Sequence, residues 1–233
     1  MISFFHLTDI ELEALRLSLC ISGWAVLCSL PPGIAAAWVL ARLKFPGKSV
    51  LDGLLHLPLV LPPVVTGYLL LVLLGRRGVL GAFLYKYTGL TFAFNWKGAA
   101  IAAAVMAFPL LVRSVRLSIE GMDQGLEFAA RTLGAGQIKV FFTITLPLMV
   151  PGIITGLILA FARSLGEFGA TITFVSNIPG ETQTLPLALY TLTQMPGGEN
   201  GAMRLCVLSI AIAMVALVFS EIMAKRFARY IKG

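Results

Sequence analysis

The stretch EFAARTLGAGQIKVFFTITLPLMVP, residues 127–151, decides how the rest of the chain is read. It sets Glu127, Arg131, Gln137 and Lys139 beside Phe141 and Phe142 in a chain that is otherwise mostly lipid-soluble. Residues 126–133 are mostly good helix formers, and they place Glu127 and Arg131 four apart, the spacing of a modestly stabilising helical ion pair. Gly134 is expected to end that helix, because glycine takes the left-handed conformation at a helix C-terminus without penalty. A second helical stretch, 138–144, presents Val140, Phe141, Phe142 and Ile144 ahead of Leu146-Pro147. The charges forbid burial of this segment in lipid. On the residues alone two readings stand level: a docking surface for a partner, or an amphipathic loop lying on the bilayer.

Around this segment the chain reads as an integral membrane protein. Its 233 residues are 58% hydrophobic and 12% charged, with mean hydropathy +0.90. A soluble domain carries about twice that charge. No Asp, Glu, Lys or Arg lies between Arg16 and Arg42, or between Asp52 and Arg76. Each run exceeds the roughly 20 residues a helix needs to cross a ~30 Å hydrocarbon core. Five spans are expected, roughly 17–41, 54–74, 98–118, 150–173 and 205–224, in one membrane domain covering 1–233, with the polar loop at 119–149. The runs are continuous and do not alternate, which favours helices over a barrel. Several spans rule out a cleaved signal peptide as their source. Pro31-Pro32 should kink or break the first span.

Lys and Arg placement orients the spans. Arg42, Lys44 and Lys48 follow the first; Arg113, Arg116, Arg131 and Lys139 surround the third loop; Lys225, Arg226, Arg229 and Lys232 follow the fifth. With five spans these share one side, which the rule makes cytoplasmic, together with the C-terminus. The N-terminus, with Asp9, Glu11 and Glu13, is expected outside, as is the loop carrying Glu181 and Glu199. One segment resists: 75–97 carries Arg76, Arg77, Lys86 and Lys97 on the outer side. Its Tyr85, Tyr87, Phe92, Phe94 and Trp96 suit an aromatic belt, and its charge suits a docking patch or a field for an anion. The formal charge of +7 is divided among these segments and makes no nucleic-acid face. Cys20, Cys28 and Cys206 read as small apolar residues buried in spans, and His6 and His56 are too few for a metal site.

In the fourth span Arg163 and Glu167 stand four apart. A lone charge at that depth costs on the order of 3 kcal/mol or more, so pairing is expected. The pair is either structural or set beside a solute path. A membrane-embedded enzyme would need a nucleophile with its base, or metal ligands, facing one cavity. The chain has no HExxH, no GxSxG and no histidine in its last three spans, so no catalytic residue is expected. A plain membrane anchor would leave the polar loop and the intramembrane pair unmotivated.

The loop resembles the cytoplasmic coupling loop of ABC-importer permeases. That family reads Glu-Ala-Ala, three residues, Gly, nine residues, Ile-x-Leu-Pro, and Ala129, Ala130, Gly134, Ile144, Leu146 and Pro147 fall at those spacings. The family's Glu position is Phe128, with Glu127 one residue early, so that role is not carried over. Residues 56–78, 107–123 and 162–202 further resemble oxyanion permeases, most closely those for molybdate; tungstate and sulfate permeases share SLGEFG-like segments. The resemblance implies an all-α integral membrane chain of the type I ABC-importer permease fold, with about five transmembrane helices, multi-pass in the cytoplasmic (inner) membrane. It implies a homodimer working with two copies of an ATPase subunit, which bind the ATP and Mg, and a soluble molybdate-binding protein outside. The chain itself would hold no cofactor and hydrolyse nothing. ATP-driven closure of the ATPase dimer would swing it from inward- to outward-facing.

Overall fold

The computed structural model describes residues 7–232, except for the side chains at 220, 224, 225 and 227–232. His6 and the side chains of Lys225, Arg229 and Lys232 therefore lie outside the described residues. The described chain is helical throughout, with no strand.

Helix α1 (Asp9–Arg42) begins in a capping box: Thr8 accepts from the Glu11 amide while the Glu11 carboxylate accepts from the Thr8 amide. It starts eight residues ahead of the expected span and runs through Pro31-Pro32 without a break. Neighbouring helices make that tolerable, since prolines persist in membrane helices packed against protein. Small residues allow the packing. Ala14, Ala25 and Ala37 of α1 are almost fully buried, as are Ala99, Ala102 and Ala103 of the third span. Close backbone approach of this kind drives helix association in lipid.

The expected span 54–74 is two helices, α2 (Lys48–Val60) and α3 (Pro63–Leu74), bent by 113°. Pro62 and Pro63 both lack the amide that would donate to the carbonyls four residues back, and Leu61 before them is held extended. The chain then passes through α4 (Val79–Thr88) into α5 (Trp96–Glu120), the central helix, which packs on α1 and on the fourth span. The Asn95 side chain caps α5 by accepting from the Gly98 amide. After α6 (Gln124–Thr132) comes α7 (Gln137–Val140), one π turn (Phe141–Thr145) and α8 (Leu146–Leu165), which together form an unbroken helical run. The fourth span thus starts inside the polar loop and ends at Leu165, not at 173. A break follows, then α9 (Gly169–Val175), α10 (Leu185–Gln194) and α11 (Glu199–Lys232).

Among the described residues four helical runs are long and apolar enough to cross a membrane, and there are five if the bent α2–α3 pair counts as one span. The cysteines depart from expectation. Cys20, Cys28 and Cys206 are free but exposed on the chain's surface, on helix faces the chain does not itself cover.

Candidate functional site: a surface hairpin and a paired helix break

The polar loop folds as a helical hairpin. Asp123 caps α6 by accepting from the Gly125 amide at 2.8 Å. At the other end Gly134 adopts φ +84°, its amide donates to Arg131 O, and the Ala135 amide reaches back to Ala130 O, each at 3.0 Å. This pair of bonds is a Schellman cap. It turns the chain sharply into α7. None of α6 is buried, and Phe128, Leu133, Ile138 and Phe142 stand exposed along the hairpin, Leu133 at 88%. Of the motif residues, Ala129, Gly134 and Pro147 are exposed, while Ala130, Ile144 and Leu146 are half-buried.

Glu127 does not pair with Arg131. Its carboxylate accepts from Arg42 Nη2 at 2.6 Å and from Thr145 Oγ1 at 2.8 Å. A partly buried arginine from another helix offers a better-desolvated partner than an exposed residue one turn along the same helix. Glu127 therefore ties α6 to the end of α1 and to the π turn that begins the fourth span. Thr145 is 4% exposed, so this contact is built into the bundle. Trp38, Lys44, Arg131 and Gln137 border a recess of about 540 Å³ beside it.

The second feature lies at the far end of α8. Arg163 Nη1 and Glu167 Oε2 are 2.7 Å apart, with Glu167 2% and Arg163 27% exposed. The two do not share a helix, because Glu167 stands in the break between α8 and α9. Its other oxygen accepts from the Ala170 amide at 2.8 Å. One buried carboxylate thus holds a cation and caps α9. This break packs against the other one. A Cβ on Gly67 of α3 would lie 2.5 Å from Ala170 O, and a Cβ on Gly169 would lie 2.8 Å from Pro63 Cβ. The two interrupted spans therefore meet backbone to backbone just beyond the α2–α3 bend, beside the ion pair. No group of histidine, cysteine and acidic side chains suited to a metal ion occurs among the described residues.

The sequence profile described as the binding-protein-dependent transport system inner membrane component matches residues 30–232. The chain belongs to that family. Among relatives, a molybdenum transport system permease protein ModB of Escherichia coli strain K12 is 67% identical over 219 residues, covering 94% of this chain and 96% of the relative. ModB of Haemophilus influenzae is 57% identical with the same coverage. The sulfate transport system permease protein CysT of Salmonella typhimurium is 34% identical, over 86% of this chain and 72% of its own. A solved bacterial ABC transporter for the acidic polysaccharide alginate superposes with TM-score 0.75 at 18% identity, covering 97% of this chain and 82% of that one. The fold is that of the type I ABC-importer permeases, and the chain is a multi-pass membrane transport subunit.

Three contacts of this family member are absent from its sequence pattern. Arg204 of α11 grips buried Glu11 through Nη2 at 2.8 Å and through Nε at 3.2 and 3.3 Å, closing the N-terminus of α1 onto α11. Arg116 of α5 joins Asp52 of α2 at 2.9 Å and Glu120 at 2.7 Å. Arg42 and Glu127 make the third. Their separations of 193, 64 and 85 residues carry no periodic signal.

Proposed function

We propose that the chain is the membrane-spanning permease subunit of an ATP-driven importer that carries molybdate across the cytoplasmic membrane. The observation that carries the coupling is the hairpin, with its exposed apolar residues and its half-buried Glu127 anchor. In this reading the hairpin sits on a separate ATPase subunit on the cytoplasmic side, which binds ATP and Mg and performs all hydrolysis. Ala129, Ala130, Gly134, Ile144, Leu146 and Pro147 shape the docking element. Movement of the ATPase is passed through Glu127 to Arg42 of α1 and to Thr145 at the foot of α8.

The run Gln137–Leu165 is 29 residues, about 43 Å at 1.5 Å per residue, so a push at the hairpin reaches the break at Gly166 through one helix. The π turn at its foot is an irregular point in that lever, and such turns concentrate at functional positions. At the break, partly exposed Arg163 attracts the oxyanion, and Glu167 keeps the hold weak enough for release. The chain needs no cofactor of its own. A soluble binding protein on the outer side, towards which the N-terminus faces, selects the anion. Exposed Val60, Val64, Tyr68 and Val72 along the bent pair support a two-fold contact with a second copy, flanked by two ATPase subunits.

Removal of the gene should abolish high-affinity molybdate uptake, and supplying it again should restore uptake that excess sulfate does not suppress. Equal competition by sulfate would move the assignment to a general oxyanion permease. Glu127→Ala releases Arg42 and Thr145 together. Loss of a charge-assisted hydrogen bond costs about 1.5–3 kcal/mol, so uptake per inserted complex should drop roughly tenfold or more. Uptake at the wild-type rate would show that the anchor does not transmit the stroke.

A further inference from the structure

The segment between α3 and α5 remains outside this account. Residues 75–97 hold Arg76, Arg77, Lys86 and Lys97 and no acidic residue at all. It lies at the end of α5 remote from the hairpin, where basic residues run against the orientation rule.

The local geometry is tightly packed. Gly75, Gly78 and Gly81 fold α4 back on the end of α3 so tightly that a Cβ at Gly81 would overlap the Leu74 and Gly75 carbonyls. The Gly78 amide donates to Gly75 O, and the Ala82 amide to Gly78 O, both at 2.8 Å. Beyond this elbow α4 packs chiefly against α3. Val79, Phe83 and Tyr87, four residues apart, form an exposed apolar stripe, with Val79 at 81%. Two of the cations rest against aromatic rings of α4. Arg76 Nη2 donates to Tyr85 Oη at 3.1 Å with its guanidinium 4.8 Å from that ring's centroid, and Lys86 Nζ is 5.8 Å from the Tyr87 ring. Neither Arg77 nor Lys97 has an acidic partner among the described residues.

We propose that the α3–α4 elbow is a binding site for an acidic phospholipid. The acyl chains cover Val79, Phe83 and Tyr87, and the headgroup phosphate accepts from Arg76, Arg77 and Lys86. The chemistry selects this occupant. An exposed apolar stripe on the helix that directly follows a membrane segment, with cations and aromatic rings beside it, matches the paired apolar and anionic parts of such a lipid. A second copy of the same face would bring four more positive charges against these four. An acidic soluble protein would satisfy the charge but leave the stripe of Val79, Phe83 and Tyr87 without an apolar partner. The site explains why basic residues stand on this side, because their charge is held at the headgroups by the rings beneath them.

The proposal rests on membrane placement and not on the transported anion. The test therefore uses the assembled complex without ATP, substrate or binding protein. Selectivity for spin-labelled phosphatidylglycerol over phosphatidylcholine would be measured in phosphatidylcholine vesicles. Each cation near an anionic surface contributes about fivefold in affinity. The triple variant Arg76→Gln, Arg77→Gln and Lys86→Gln should therefore lose most of the wild-type preference. All three side chains are exposed, so the fold should survive. Excess inorganic phosphate should not displace the labelled lipid, because it cannot cover the stripe. An unchanged preference in the triple variant would overturn the proposal, as would displacement by phosphate. In a second measurement with the soluble binding protein added, loss of its binding in the triple variant with the lipid preference unchanged would likewise overturn it and make the elbow a protein-docking patch.

Discussion

Gly134→Pro is expected to leave the chain inserted in the membrane while ATP-driven uptake falls more than about tenfold. Gly134 sits at φ +84° and its amide donates to Arg131 O. Proline is fixed near φ −65° and has no amide hydrogen, so it can neither take the turn nor make the bond, at a cost of roughly 3 kcal/mol or more. The transmembrane helices do not depend on this turn, because α6 buries nothing and the run from Gln137 is anchored separately by Val140, Thr145 and Met149. The damage should therefore be confined to the angle between α6 and α7. Gly134→Ala should be milder, since a Cβ in the left-handed region costs about 1–2 kcal/mol and meets no neighbouring atom. Uptake and ATP hydrolysis measured together on equal amounts of inserted complex would check both. Normal coupled uptake with proline at this position would mean that the hairpin's shape does not matter.

Arg163→Ala is expected to reduce the yield of folded complex severely. It strands Glu167, a carboxylate 2% exposed whose remaining partner in the break is the Ala170 amide. Removing one member of a buried pair typically costs about 3–5 kcal/mol because the other charge stays buried and uncompensated. The double variant Arg163→Gln with Glu167→Gln removes both charges and retains groups able to hydrogen-bond. It should recover most of the yield, measured as complex surviving detergent extraction and gel filtration. Uptake should not recover with it, since the cation proposed to meet the oxyanion is gone. Recovery of both would make the pair structural only.

These two sites differ in how far the sequence disclosed them. The hairpin was legible because its determinants are local: a helix-forming run and a glycine at the point where the chain must turn. Its anchoring was not. Glu127 and Arg131 have the spacing of a helical pair, yet Arg42 is the actual partner, brought there by the packing of α1 against the start of α8. The bend at Pro62-Pro63 was written as two successive missing donors, but hydropathy averages across such a break and returns one span. The end of α8 was blurred in the same way. Gly166 stops the helix, while the apolar residues of α9 extend the hydrophobic signal to 173. Arg163 and Glu167 were readable as a pair from the cost of isolated charge. That Glu167 also caps α9 could be seen only once the break was placed. Cys20, Cys28 and Cys206 show the limit of reading burial from hydropathy, since apolar residues facing lipid and facing protein look alike in a membrane span.

The measurement that bears most directly on this account is molybdate accumulation by proteoliposomes containing the chain, its ATPase subunit and the soluble binding protein. With ATP on the ATPase side, labelled molybdate should accumulate against its gradient. Accumulation should cease when ATP is withheld, and Gly134→Pro should leave hydrolysis with little uptake. Accumulation that proceeds without ATP, or that is unaffected by omitting this chain, would contradict it.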